Sequence, residues 1–463
     1  MKRALLLGCI LVGVMLNGCV NPTGSYYSNE LNGGELQLSE DNVQQLKFVN
    51  TRQNPVVFIH GLLGSELHTH TGMRLWGDFS YLEMLEGKCF YDLALPAAVN
   101  NNHDILHPGG LLKKSRISVG PFSWERENYQ AVISLLEAMG YRSEESARAS
   151  GTLPSLFIFY YDWRKGIDKN AADLTDFIAE KKALLSKKSN RQIKFDLIGH
   201  SMGGLLARYY AAYGAAQLGQ GKAPLPVATW KNKAHLDKII LIASPQLGYA
   251  DCFYEIINGL KLETLAPRFP GAVMATFASC YQMLPDPELQ AVKMLDSGET
   301  VDIFDPEVWQ RFRWGLLDGS NESAQVLALI MPDMDAAERK QAALELLARY
   351  LDNSRRFKLL IKKSAAEVPS ELNFYCIAGV GFSTASVLSV DPASGAVAIE
   401  EYAPGDGKIT LRSAAMQRAE AKNYLNGKRT LWTQLLILDG AHMGIMRSTL
   451  FACNLYAVLQ QQE

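Results

Sequence analysis

The five residues Gly199-His200-Ser201-Met202-Gly203 constrain this 463-residue chain more than any other feature. They follow an alternating apolar run, Ile193, Phe195 and Leu197, that ends at Ile198, and they lead into the helix-like Gly204-Leu-Leu-Ala-Arg-Tyr-Tyr. A strand that turns straight into a helix forces the corner residue into strained backbone angles, and only small neighbours avoid a clash there. The corner lifts the Ser201 hydroxyl above the sheet and aims the Met202 N–H and the helix N-terminus at the same point. G-x-S-x-G alone is a common accident. Between a strand and a helix it predicts a nucleophile elbow.

A nucleophilic serine needs a base, and the base needs a group to orient it. Among the eight histidines, His442 lies in Asp439-Gly440-Ala441-His442, just after a strand-like run ending at Leu438 and before a C-terminal helix. The chain order serine, acid, histidine selects it as the base. His60 sits in the turn after the first strand, where a positioning role is expected. His200 lies inside the elbow and is expected to point away from the Ser201 hydroxyl. His68, His70, His103, His107 and His235 stand in polar surroundings and read as solvated or capping residues. For the acid, Gly405-Asp406-Gly407 offers a sharp turn that presents a carboxylate; Asp439 is the rival and reads as a loop cap. The second oxyanion donor should come from His60-Gly61-Leu62-Leu63-Gly64-Ser65, with the Leu62 N–H acting beside that of Met202.

Strand-like and helix-like segments alternate around these motifs. Pro55–Ile59, Leu156–Tyr160, Ile193–Ile198, Ile239–Ala243, Leu372–Val380 and Thr430–Leu438 read as strands, and Trp124–Met139 and Asp168–Leu185 as helices. That rhythm implies βαβ units: an α/β-hydrolase fold with a mostly parallel sheet flanked by helices. Residues 249–363, rich in helix formers and carrying Trp309, Phe312 and Trp314, show no obvious strand and read as a helical cap insertion. Residues 72–122, with Trp76, Phe79 and Tyr81, read as a second, irregular insertion. A hydrophobic content of 48% leaves room for a large core, and a net charge of −2 argues against electrostatic capture of nucleic acid. No His, Asp and Glu cluster has ligand spacing, so neither a metal nor another cofactor is expected.

The N-terminus reads separately. Lys2 and Arg3 precede an apolar run, Ala4 to Leu16, that ends in Leu16-Asn17-Gly18-Cys19. The run is too short to cross a bilayer of about 30 Å and suits a signal segment. Leu-x-Gly-Cys resembles a bacterial lipobox, which makes 1–18 a lipoprotein signal peptide, Cys19 the lipidated residue and 19–50 a flexible tether to a hydrolase domain at 51–463. The alternative is a plain secretory signal with a chance cysteine. Val20, where some bacterial lipoproteins carry Asp, suggests sorting to the outer membrane. Of the seven cysteines, Cys89, Cys252, Cys280, Cys376 and Cys453 remain beyond this segment. That number is odd, so at least one is free unless it pairs between chains; the pairing stays open.

The chain resembles the lecithin:cholesterol acyltransferase-like branch of the α/β hydrolases, which includes lysosomal phospholipase A2 and bacterial relatives. Pro55-Val-Val-Phe-Ile-His-Gly-Leu-Leu-Gly-Ser-Glu-Leu67 looks like its opening segment, with His60 where the family often has Pro. Tyr161-Asp162-Trp163-Arg164 is its tetrapeptide, Ser244-Pro245-Gln-Leu-Gly248 the turn after the elbow, and Gly405-Asp406-Gly407-Lys-Ile-Thr-Leu-Arg-Ser413 the acid loop, with Lys408 where Thr is usual. The resemblance implies attack by Ser201 on a lipid acyl ester and transfer of the acyl group to water or an alcohol. It places Trp76 and its neighbours in a membrane-touching segment, with core packing as the alternative. Asp162 and Arg164 are expected as a structural ion pair beside the site. The expectation is a lipase or acyltransferase held at the bilayer by acyl chains on Cys19, in an oligomeric state left open. An esterase or thioesterase for small soluble esters, and a non-catalytic lipoprotein binding module, are the rivals.

Overall fold

The computed structural model describes residues 53–80, 88–97, 104–119, 122–187, 192–261, 268–416 and 431–461. The signal segment, Cys19, the tether, Tyr81, His103 and Thr430 lie outside the described residues.

Six strands make the central sheet: β1 (Val56–Ile59), β2 (Leu156–Phe159), β3 (Phe195–His200), β4 (Leu236–Ile242), β5 (Asn373–Val380) and β6 (Gln434–Asp439). Their order is β6-β5-β4-β3-β1-β2, and every neighbouring pair is parallel. Side chains alternate between the faces, and both faces are covered. In β1, Val57 and Ile59 enter one core with α2 (Ile167–Ser186), α3 (Met202–Tyr213), α4 (Ala250–Asn258) and α5 (Ala336–Ala366). Val56 and Phe58 enter the other, with α1 (Gln130–Ala138) and α6 (Thr449–Gln460). The mostly parallel sheet expected of an α/β hydrolase is the sheet observed. No helix among the described residues is long and apolar enough to cross a membrane.

Three local expectations are corrected. The helix read over Trp124–Met139 starts at Gln130, because residues before it form a strand, Phe122–Glu127, antiparallel to Lys114–Val119. Within the stretch read as irregular, 72–122, the described residues form several strands. Ser65–Thr69 pairs with Arg74–Trp76 and Leu106–Leu111, and Asp78–Ser80 pairs with Lys114–Val119. Strands of three residues are too short for alternation to show in the sequence. In the cap insertion, Val292–Met294 is a strand after all. It lies parallel to Phe382–Val390, which forms an antiparallel hairpin with Val397–Gly405 between β5 and Asp406.

For Trp76 the structure selects the core-packing alternative. Its ring is buried, its indole N–H donates to the Leu63 carbonyl at 2.9 Å, and it packs edge-on against Trp163 and Phe269. This ring is core rather than bilayer contact. Among the described cysteines, Cys252, Cys280 and Cys376 are buried and unbridged, and Cys453 is exposed and unbridged.

Candidate active site

β3 carries the chain into the elbow, where Ser201 takes φ 53° and ψ −124° before α3 begins at Met202. The crossing of strand and helix explains the two glycines. A Cβ at Gly199 would lie 2.6 Å from the Gly203 carbonyl oxygen, and one at Gly203 would lie 2.3 Å from the carbonyl oxygens of Ile59 and His60. No real Cβ tolerates such distances, so Gly199 is required by the first turn of α3 and Gly203 by the end of β1 and the turn after it. Ser201 itself is 8% exposed, and its N–H donates to the Ile242 carbonyl at 2.8 Å.

The three side chains singled out in the sequence converge. His442 Nε2 lies 3.0 Å from Ser201 Oγ, and His442 Nδ1 lies 2.8 Å from Asp406 Oδ2. Asp406 is 2% exposed, and its other carboxylate oxygen accepts from the N–H groups of Lys408 at 2.9 Å and Ile409 at 2.7 Å. The His442 N–H donates to the Asp406 carbonyl at 2.8 Å, so backbone as well as side chain ties the two loops together. Gly379, near the end of β5, leaves room for Asp406, since a Cβ there would lie 2.6 Å from the Asp406 Cβ. The rival Asp439 is exposed at the end of β6, beside Gly381.

The turn after β1 is braced from two sides. The Tyr161 hydroxyl donates to the His60 carbonyl at 2.8 Å, the Ser65 hydroxyl donates to the Tyr161 carbonyl at 2.7 Å, and the Trp163 indole donates to the Ser65 carbonyl at 3.1 Å. His60 is fully buried and stacked on Tyr161 with ring centroids 4.2 Å apart. Its Nδ1 lies 2.7 Å from the Gly61 carbonyl, and its Nε2 accepts from the Tyr161 N–H at 3.3 Å, which defines a neutral ring. Burial pulls its pKa down to about 4 despite the Gly61 hydrogen bond. Among the described residues, no acceptor takes the N–H of Leu62 or that of Met202, so both expected oxyanion donors are open.

Tyr129, not singled out in the sequence, completes the site. Its hydroxyl accepts from the Gly61 N–H at 2.9 Å and lies 2.9 Å from His200 Nδ1. His200 Nε2 in turn lies 3.1 Å from the His442 carbonyl. Because the Gly61 N–H can only donate and a carbonyl can only accept, the polarity of the whole chain is fixed: Gly61 to Tyr129 to His200 to His442. His200 thus points away from the Ser201 hydroxyl. Burial first, and then His442, hold its pKa well below the ordinary value. Only a buried tyrosine at the start of a helix signals this role in the sequence, and such tyrosines are common.

Two ion pairs frame the site. Arg164, fully buried, forms a salt bridge with Asp162 at 2.8 Å and with Asp104 at 2.9 Å. Lys408 bonds Glu255 of α4 and lies 3.4 Å from Asp251. The residue that departs from the usual Thr therefore fastens the acid loop to α4. No group of metal-ligating side chains is found among the described residues.

The family model that matches residues 70–404 is that of lecithin:cholesterol acyltransferase. The chain belongs to the lecithin:cholesterol acyltransferase family. It is a lipase- or acyltransferase-like α/β hydrolase. The match to the lecithin:cholesterol acyltransferase model includes Ser201 and the cap insertion and stops two residues short of Asp406. No curated protein matches. Among solved structures, a chain of the Tle4–Tli4 complex is similar with a TM-score of 0.49 and 14% identity, covering 89% of this chain and 99% of that one. EstA from Clostridium botulinum is similar with a TM-score of 0.36 and 13% identity, covering 91% and 94%. The mature Bacillus licheniformis lipase BlEst2 gives 0.32 and 11%, covering 89% and 93%.

Proposed function

We propose that this protein is a serine lipase, phospholipase or acyltransferase that cleaves lipid acyl esters through an acyl-enzyme on Ser201. The observation that carries the reading is the pair of hydrogen-bond distances at His442, 3.0 Å to Ser201 Oγ and 2.8 Å to Asp406 Oδ2. In this reading Ser201 Oγ attacks the ester carbonyl carbon and passes its proton to His442 Nε2. Asp406 holds the Nδ1–H and stabilises the imidazolium. The carbonyl oxygen becomes an oxyanion facing the N–H groups of Leu62 and Met202, each of which contributes about 3–4 kcal/mol in comparable sites. The leaving alcohol takes the proton back from His442 as the C–O bond breaks. Water or an acceptor alcohol then repeats the sequence on the acyl-enzyme and frees Ser201.

The lipid preference is supported by family membership. Anchoring at the bacterial outer membrane through acyl chains on Cys19 is supported by the sequence Leu16-Asn17-Gly18-Cys19 after an apolar leader. Several acyl chains would hold the enzyme at the bilayer stably, at ~0.8 kcal/mol per buried methylene.

The test is labelling of the purified protein by a fluorophosphonate, followed by turnover on micellar long-chain and dissolved short-chain esters. Labelling that vanishes in Ser201→Ala, with faster turnover of the long-chain ester, supports the proposal. Absence of labelling favours a binding module, and a short-chain preference favours a small-ester esterase.

A further inference from the structure

A cavity of about 400 Å³ lies between α5 and the segment 285–304. None of its lining residues is one of those around Ser201. Its walls include Ala291, Val292, Ile303, Phe304 and Leu359, and its volume falls at the small end of the ~300–1,000 Å³ that ligand pockets span. Three cations of α5, Arg355, Lys358 and Lys362, follow one another at helical spacing along it. Two of them are paired. Arg355 lies 2.6 Å from Asp302, and Lys362 lies 2.7 Å from Asp286 and 3.4 Å from Glu288.

Lys358 differs. It is 7% exposed, and among the described residues its ammonium has one hydrogen bond, to the Gln282 carbonyl at 3.4 Å, and no carboxylate partner. The Phe304 ring centroid lies 6.0 Å from its Nζ. A buried ammonium is costly unless an anion or several acceptors offset its lost hydration. Two of its three N–H groups have no acceptor among the described residues.

We infer that this cavity binds a long-chain carboxylate, the anion of a fatty acid, with its head on Lys358 and its chain along Val292, Ile303 and Phe304. One open cation matches one negative charge. A dianion would meet the nearby carboxylates of Asp286, Glu288 and Asp302 with nothing left to neutralise it. A pocket this small suits one alkyl chain rather than two. Burial pulls the Lys358 pKa down to about 8, with Asp286 opposing the fall and Lys362 adding to it; a bound carboxylate would restore the full charge. The site is the place for a product of lipid-ester hydrolysis, a link that rests on the proposed function, whereas the binding does not.

The test is calorimetric titration of the Ser201→Ala protein with dodecanoate below its micellar concentration, with dodecanol and inorganic phosphate as separate arms. Dodecanoate should bind with one site. Lys358→Met should weaken it about tenfold or more while leaving dodecanol unchanged, and Lys358→Arg should stay within about threefold. If Lys358→Met fails to fold, Leu359→Glu at the exposed wall should lower dodecanoate affinity in the same way. Equal dodecanoate binding with and without Lys358, no binding at all, or phosphate binding as tightly as dodecanoate would each overturn the inference. Absence of fluorophosphonate labelling in the wild-type protein, with dodecanoate binding intact in Ser201→Ala, would instead sink the enzyme reading alone.

Discussion

His200 Nε2 donates to the carbonyl oxygen of His442 across 3.1 Å, so the residue just before the elbow serine holds the backbone of the imidazole facing that serine. The same ring accepts from Tyr129, and Tyr129 accepts from Gly61. Two loops that must agree in position, the turn of Leu62 and the loop of His442, are thereby tied through one buried hydroxyl.

Tyr129→Phe should therefore affect rate as well as stability. It leaves the Gly61 N–H and His200 Nδ1 without their partner, a loss of about 1–3 kcal/mol in urea unfolding. The expected kinetic result on a p-nitrophenyl ester is kcat reduced by about tenfold with KM little changed, the pattern of a lost transition-state interaction. A purely structural tyrosine would lower the urea midpoint and leave kcat alone.

Asp406→Asn should keep the fold and lose the chemistry. The amide oxygen can still accept from Lys408 and Ile409, but the amide cannot hold the His442 ring in the required tautomer. A kcat loss of about 10⁴-fold is expected, with an unchanged far-ultraviolet circular dichroism spectrum. A loss under tenfold would remove Asp406 from the proposed mechanism.

Arg164→Met should be a stability variant. It leaves Asp162 and Asp104 only the more distant Lys165 for an ion pair, at 3.5 and 3.9 Å, and breaking a buried pair by removing one partner costs about 3–5 kcal/mol. Urea unfolding reads this directly. Wild-type stability in the variant would show that Lys165 or solvent compensates the two carboxylates.

The two buried histidines predict acid sensitivity. The unfolded chain binds a proton at each near pH 6.5, while His60 in the fold stays neutral down to about 4 and His200 is held lower than its ordinary value as well. The unfolded state thus binds more protons between pH 6.5 and 4, so stability is full above 6.5 and is lost as the pH falls through that window. His60 alone should cost about 2 kcal/mol between pH 7 and pH 5. Urea midpoints at the two pH values measure it, and His60→Gln should flatten the difference.

The parallel sheet, the elbow and the convergence of Ser201, Asp406 and His442 were legible because each rests on local signals: apolar runs, a Gly-bounded corner and chain order. The β-structure within 72–122 and the hairpin ending at Gly405 were not: two strands of the first are only three residues long, and in the second Val397–Gly405 is largely exposed and the pairing is broken by register shifts. Trp76 stayed open between bilayer and core for a related reason. An aromatic in an insertion carries no mark of which side it faces, and here Trp163 and Phe269 supply a buried surface. Tyr129 could be found only once Gly61 and His200 stood on either side of it.

The hairpin between β5 and Asp406 has one strand bonded to Val292–Met294 of the cap insertion and the other ending at Gly405, next to the carboxylate. Any swing of the cap that carries Val292–Met294 along therefore pulls on the lever that seats Asp406. Chimaeras that exchange caps between relatives would have to carry this hairpin with them, or Asp406 would be left out of register with His442.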